Sequence, residues 1–370
     1  MKPLDLTKEY GIVLEGGGAR GAYQVGVWRA LEEGGVRIKG ISGASVGALN
    51  GALMCQKDLK KAERLWSSIS YEKVLAGNQK YLSSLADVRG KNVLQLVHTI
   101  LRSGDVGLLI NGTKALFEQG GFDITPLKKL IAGYIDPEKI RESDRFFSLV
   151  TFSVEEKKEI TVDMKRLPPE ETANMLLASS FLPVFQQELL GGKKYLDGGV
   201  FNKVPTDVLI REGYQDIIVI RIYGVGINRP VLPPRGVRLY EVAPQDDLGG
   251  VLEFDSRRAI QNMRLGYYDG LRLLRGLCGR RYYFDCDAAE ALIYDFEELE
   301  RLADALSIER FHIYKPQQLL KKLRQKDAER IKTGGESVFS EKRPETVLQK
   351  IFSVRRGREH ETGEKVRDKR

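Results

Sequence analysis

Gly43-Ala44-Ser45-Val46-Gly47 sets a serine between two glycines at G-x-S-x-G spacing, the stretch of the chain best suited to supply a nucleophile. Glycines two positions to either side let a strand turn sharply into a helix and push the hydroxyl outward. Earlier in the chain, Gly16-Gly17-Gly18-Ala19-Arg20-Gly21 offers a row of backbone N–H groups at a helix start, which suits an oxyanion or a phosphate. Much later, Tyr195-Leu196-Asp197-Gly198-Gly199 ends a short strand on a carboxylate followed by two glycines.

The glycine row also satisfies G-x-G-x-x-G through Gly16, Gly18 and Gly21, the pattern of a dinucleotide-binding turn. That reading needs an acid at the end of the second strand to hold a ribose. The second strand ends in Ile41-Ser42-Gly43, and the nearest carboxylates, Glu32 and Glu33, belong to the preceding helix and its end. The pattern therefore argues against a nucleotide.

A serine nucleophile needs a base, usually histidine. The chain has three, His98, His312 and His360. Ser45, Asp197 and His312 follow the Ser…Asp…His order of an α/β-hydrolase triad, so this arrangement stays open. A Ser–Asp dyad is the other arrangement, workable where the carboxylate lies within hydrogen-bond reach of the hydroxyl. An ordinary aspartate, with a pKa of about 3.9, is a weak base. Part of the burden then falls on oxyanion donors, each worth about 10²–10³ in turnover.

These residues need elements to hold them. Tyr10–Glu15 is a continuous apolar run that predicts a buried strand, and helical spacing follows from about Ala19 to Glu33. Val36–Ile41 predicts a second strand and Val46–Met54 a helix of small side chains able to lie close to a sheet. This βαβ pattern predicts a parallel sheet covered by helices. From about 58 to 144 the strand signal nearly vanishes; Lys61–Trp66, Asn92–Leu101 and Asp123–Ile131 read as helices of an insertion that could form a lid. Strands resume at Phe146–Val154 and Ile160–Val162, a helix covers Glu170–Ser179, and Ile217–Ile220 is another buried strand. A long helix over Ser256–Leu277 and two charged helices, Phe296–Leu306 and Pro316–Arg330, complete the pattern.

Composition sets the bounds. With 370 residues, 42% of them hydrophobic, the chain can bury a substantial core. Three scattered cysteines predict neither a disulfide framework nor a zinc site. No apolar run precedes the first strand, and no stretch is long enough to span a bilayer, so the expected location is cytoplasmic, with peripheral contact at a membrane. The net charge is +8, and residues 341–370 hold ten Lys/Arg against six Asp/Glu, so about half of the excess sits in a tail expected to be disordered. The basic character belongs to that tail and gives no reason to expect nucleic acid.

Taken together, the motifs resemble those of the patatin-like phospholipases. Gly16–Gly21 looks like the family's oxyanion loop, Gly43–Gly47 like its nucleophile elbow, and Asp197-Gly198-Gly199 like its D-G-[AG] motif. Asp123-Ile124-Thr125-Pro126-Leu127, the stretch Ala178–Phe185, and Asn202-Lys203-Val204-Pro205 fit the same pattern, in order, within about residues 10–275. The resemblance implies a three-layer α/β/α sandwich with a mainly parallel central sheet, to which residues 276–340 add a charged helical extension. It implies a Ser45–Asp197 dyad with Gly43, Gly47, Gly198 and Gly199 in support, an oxyanion hole from Gly16, Gly17, Gly18 and Arg20, and no metal or cofactor. The implied substrate is a phospholipid or related acyl lipid, reached by transient contact with a membrane surface.

Overall fold

In the computed structural model, the described residues are 2–76, 122–182, 185–186 and 188–339. His98, His360, the expected helix at 92–101 and the basic tail lie outside them. Contacts divide the chain into two units, Asp5–Gly270, and Met1–Leu4 with Leu271–Arg370.

The larger unit is built on one sheet. Its elements run β1 (Glu9–Leu14), α1 (Ala22–Glu33), β2 (Arg37–Ala44), α2 (Val46–Cys55), α3 (Leu59–Ser67), α4 (Tyr71–Val74), α5 (Thr125–Tyr134) and α6 (Pro137–Glu142). They continue with β3 (Phe146–Ser153), β4 (Lys158–Asp163), α7 (Thr172–Ser179), β5 (Tyr195–Asp197), α8 (Gly199–Asn202), α9 (Thr206–Arg211), β6 (Asp216–Ile220), β7 (Arg238–Val242) and α10 (Ser256–Arg275), which crosses into the second unit. The strand order is β4-β3-β2-β1-β6-β7. Along this order the pairs β3-β2, β2-β1, β1-β6 and β6-β7 are parallel, and β4 joins β3 antiparallel.

Both sheet faces are covered, which is why the central strands read as unbroken apolar runs rather than alternating ones. On one face Val13, Ile217 and Val219 pack with Leu209, and Ala44 and Val150 with Val208, both from α9. On the other, Ile41 and Phe147 lie against Gly51 of α2. The long helix α10 docks on α1 through a buried 2.7 Å hydrogen bond from the Tyr23 hydroxyl to Asp269.

Two features set the geometry of the site. β2 runs three residues beyond the expected end at Ile41, through to Ala44. β5 then pairs antiparallel with the last residues of β3, on the edge that β2 has left: Ala44 is opposite Val150, and Asp197 is opposite Thr151. β7, which the sequence did not announce, adds an edge strand on β6.

The second unit has its own core. β8 (Tyr283–Phe284), α11 (Glu290–Ile293), α12 (Phe296–Ala305), β9 (Ile313–Tyr314) and α13 (Pro316–Lys332) surround Tyr282, Phe284, Leu302 and Leu323. The expected helices are present, and a two-stranded parallel sheet accompanies them. Glu300 Oε1 accepts from three successive backbone N–H groups, those of Arg280, Arg281 and Tyr282, at 2.6–3.0 Å.

Candidate active site

The site gathers where β1, β2 and β6 end. β1 pairs with β2 on one side and β6 on the other, and such a reversal of strand order opens a crevice at the carboxyl ends of the strands.

Ser45 sits between β2 and α2 with φ 54° and ψ −128°, a conformation that side chains other than glycine rarely adopt. Holding it costs about 1–3 kcal/mol, so the surroundings must over-determine it. They do so in two ways. A methyl at Gly47 would lie 2.2 Å from the carbonyl oxygen of Leu14, so only glycine lets α2 start this close to β1. The Ser45 N–H donates to Ser179 Oγ at 3.0 Å, and that hydroxyl donates to the Val150 carbonyl at 2.7 Å.

Asp197 is 2% exposed. Its Oδ1 accepts from the Gly199 N–H at 2.7 Å, while Oδ2 has no hydrogen-bond partner among the described residues. Burial pushes its pKa up to about 7, against a weaker opposing pull from the Ser45 hydroxyl and the Gly199 N–H. The Ser45 hydroxyl is thus near enough to be felt by the carboxyl but short of a full hydrogen bond. Catalytic contacts are commonly loose without substrate. The result is a carboxylate whose basicity is matched to neutral pH.

The glycine loop divides its amides. The Gly16 N–H donates to the Lys203 carbonyl at 2.9 Å and is spent. The N–H groups of Gly17 and Gly18 carry no hydrogen bond among the described residues. Gly18 has φ +56°, and a methyl there would lie 2.0 Å from the Val251 oxygen, so the loop keeps this shape only with glycine. Arg20, expected beside the oxyanion, ties loops together: Nε donates to the Gly249 carbonyl at 2.7 Å and Nη1 to the carbonyls of Ile222 and Tyr223.

Sequence reasoning missed the brace under this loop. Buried Glu15 accepts through Oε2 from the N–H groups of Ile222 (2.7 Å) and Tyr223 (3.0 Å) and from Arg221 Nε (3.0 Å), with Lys203 Nζ 3.3 Å from Oε1. A lone acid closing an apolar strand was the available signal. Ser179 was also missed, although it stands in the motif stretch 178–185.

Beside Ser45 opens an apolar pocket of about 70 Å³, walled by residues such as Leu49, Trp66, Leu127, Leu182 and Phe254. The insertion expected at 58–144 thus supplies part of one wall. Asn50, also in the lining, is fully engaged with Gly21, Gln24 and Trp66. Among the described residues, no histidine lines this pocket. His312 belongs to the second unit, with its ring 4.6 Å from that of Tyr314. No cluster of three His, Cys, Asp or Glu side chains among the described residues could hold a metal ion. No described helix is long and apolar enough to cross a membrane.

The family model described as patatin-like phospholipase matches residues 12–210. A lysophospholipase of Aspergillus terreus is 61% identical over 46 residues, covering 12% of this chain and 3% of that protein. A neuropathy target esterase of Drosophila willistoni is 44% identical over 61 residues, 15% of this chain and 4% of its own length. The chain therefore matches only a small part of these curated relatives. Among solved structures, VipD from Legionella pneumophila is similar with a TM-score of 0.41 and 13% identity, over 88% of this chain and 77% of that one.

Proposed function

The chain belongs to the patatin-like phospholipase family, and we propose that it hydrolyses fatty acyl esters of phospholipids or related lipids through a Ser45–Asp197 dyad. The observation that carries this reading is the strained Ser45 facing a buried carboxylate of raised pKa at the mouth of an apolar pocket. The pocket would take the acyl chain and leave the polar part of the lipid toward solvent.

In acylation, Ser45 Oγ attacks the ester carbonyl while Asp197 Oδ2 takes its proton. The carbonyl oxygen gains negative charge and is held by the N–H groups of Gly17 and Gly18, aided by the positive end of the α2 dipole. Asp197 then returns the proton to the departing alcohol. Water, deprotonated by the same carboxylate, releases the fatty acid. A carboxylate of ordinary acidity would be a poor base here; its burial supplies the missing basicity.

The expected result with mixed phospholipid vesicles is release of fatty acid and lysolipid or glycerol product, read by mass spectrometry. Ser45→Ala and Asp197→Asn should each lower it by at least about 10³-fold. Vesicle binding without any release by the intact chain would replace this reading with a non-catalytic lipid-binding one. Loss of release on replacing all three histidines in a folded protein would restore the histidine triad.

A further inference from the structure

The pocket holds one polar side chain that no contact explains. Ser180 is 6% exposed, lines the cavity beside Ser45, and its Oγ has no hydrogen-bond partner among the described residues. A buried hydroxyl left without a partner costs about 1–3 kcal/mol, so its place in a largely apolar wall asks for a ligand. Asn50 shares that wall but has spent its amide on protein partners.

The backbone places Ser180 next to the base. The Asp197 N–H donates to the Phe181 carbonyl at 2.9 Å and the Gly198 N–H to the Ser179 carbonyl at 3.2 Å. Ser180 therefore lies between the two residues that hold the base in place. Gly17 and Gly18 belong to a different loop and serve the carbonyl oxygen. The oxygen left for the Ser180 hydroxyl is the one on the Asp197 side, which receives the proton.

We propose that the Ser180 hydroxyl donates a hydrogen bond to the alkoxy oxygen of the bound ester, and that it holds the hydrolytic water at the same position after that oxygen has left. The inference rests on the Ser45–Asp197 reading. In acylation the Ser45 Oγ–carbon bond forms, the carbon–alkoxy bond breaks, and the proton passes from Ser45 through Asp197 to the alkoxy oxygen as negative charge builds there. A donor at that oxygen acts in the transition state more than in the ground state. In deacylation water enters the vacated place, and a hydroxyl can accept from it as readily as it donated before.

A matched pair of substrates tests this: an oxygen ester and a thioester with the same acyl chain. Sulfur is a weak acceptor, so the thioester gains little from the donor. Ser180→Ala should lower kcat/KM for the oxygen ester by about 10-fold and for the thioester by no more than about 2-fold, a difference expected from the loss of one hydrogen bond. Ser180→Cys, closer in volume and a weak donor, should show the same split should the alanine variant fail to fold, and Ser180→Thr should recover most of the loss. Equal losses on both substrates in a folded variant, or no loss on the oxygen ester, would overturn the proposal. If the unaltered protein cleaves neither substrate, the dyad itself has failed.

Discussion

Ser45 keeps a backbone conformation that suits glycine, and a serine is retained there at a cost in stability. Ser45→Gly should therefore abolish turnover while leaving the fold as stable or raising its stability by about 1 kcal/mol, read by urea unfolding. Asp197 makes the complementary prediction for pH. Its carboxyl has an ordinary value of 3.8 and about 7 in the folded chain, so between these values the folded state binds more protons than the unfolded state. Stability contributed by this group is present below about pH 4, is lost as pH rises toward 7 and is level above it. Asp197→Asn should flatten that part of the melting-temperature profile, so the variant gains on the parent as pH rises from 5 to 8. In the parent, kcat/KM should rise with pH through a midpoint near 7, because the ionised form is the base. A profile already flat from pH 5 would remove Asp197 from that role.

At the scale of elements, Ser45 and Asp197 come to the same end of the sheet because β5 takes the edge of β3 that β2 abandons at the elbow. This pairing joins residues 45 and 197, and nothing local in the chain announces it. The elbow, the glycine row and the Asp-Gly-Gly turn were legible because each is a short stretch whose residue types suit its own backbone. The longer reach of β2 was hidden by Ser42 and Gly43, which end its apolar run, and β7 by its exposed Leu239 and charged Arg238 and Glu241 behind a proline-rich segment. Which glycine amides are free also lay beyond the sequence, since the carbonyl that engages Gly16 comes from residue 203. The close approach of α2 to β1 gives a further prediction. Gly47→Ala would force those elements apart and should cost about 1–3 kcal/mol, with loss of activity greater than the loss of folded protein. An active variant with unchanged unfolding midpoint would refute the packing account.

At the scale of the whole molecule, the chemistry and the C-terminal unit have separate cores. Every residue placed in the site lies within 5–270, whereas the second unit is organised by Glu300 and the cluster around Tyr282 and Leu302. Glu300→Ala leaves three buried or half-buried N–H groups without their acceptor and should expose residues 280–284 and 296–305 to hydrogen exchange. Labelling of Ser45 should continue at the parent rate; a parallel fall would mean that the two units share their stability. The most direct measurement of the central claim is reaction with a fluorophosphonate, followed by peptide mass spectrometry. A single adduct on Ser45 is expected, absent from Ser45→Ala and slowed at least about 10²-fold in Asp197→Asn. Labelling that persists in Ser45→Ala, or that proceeds at full rate without the Asp197 carboxylate, would contradict it.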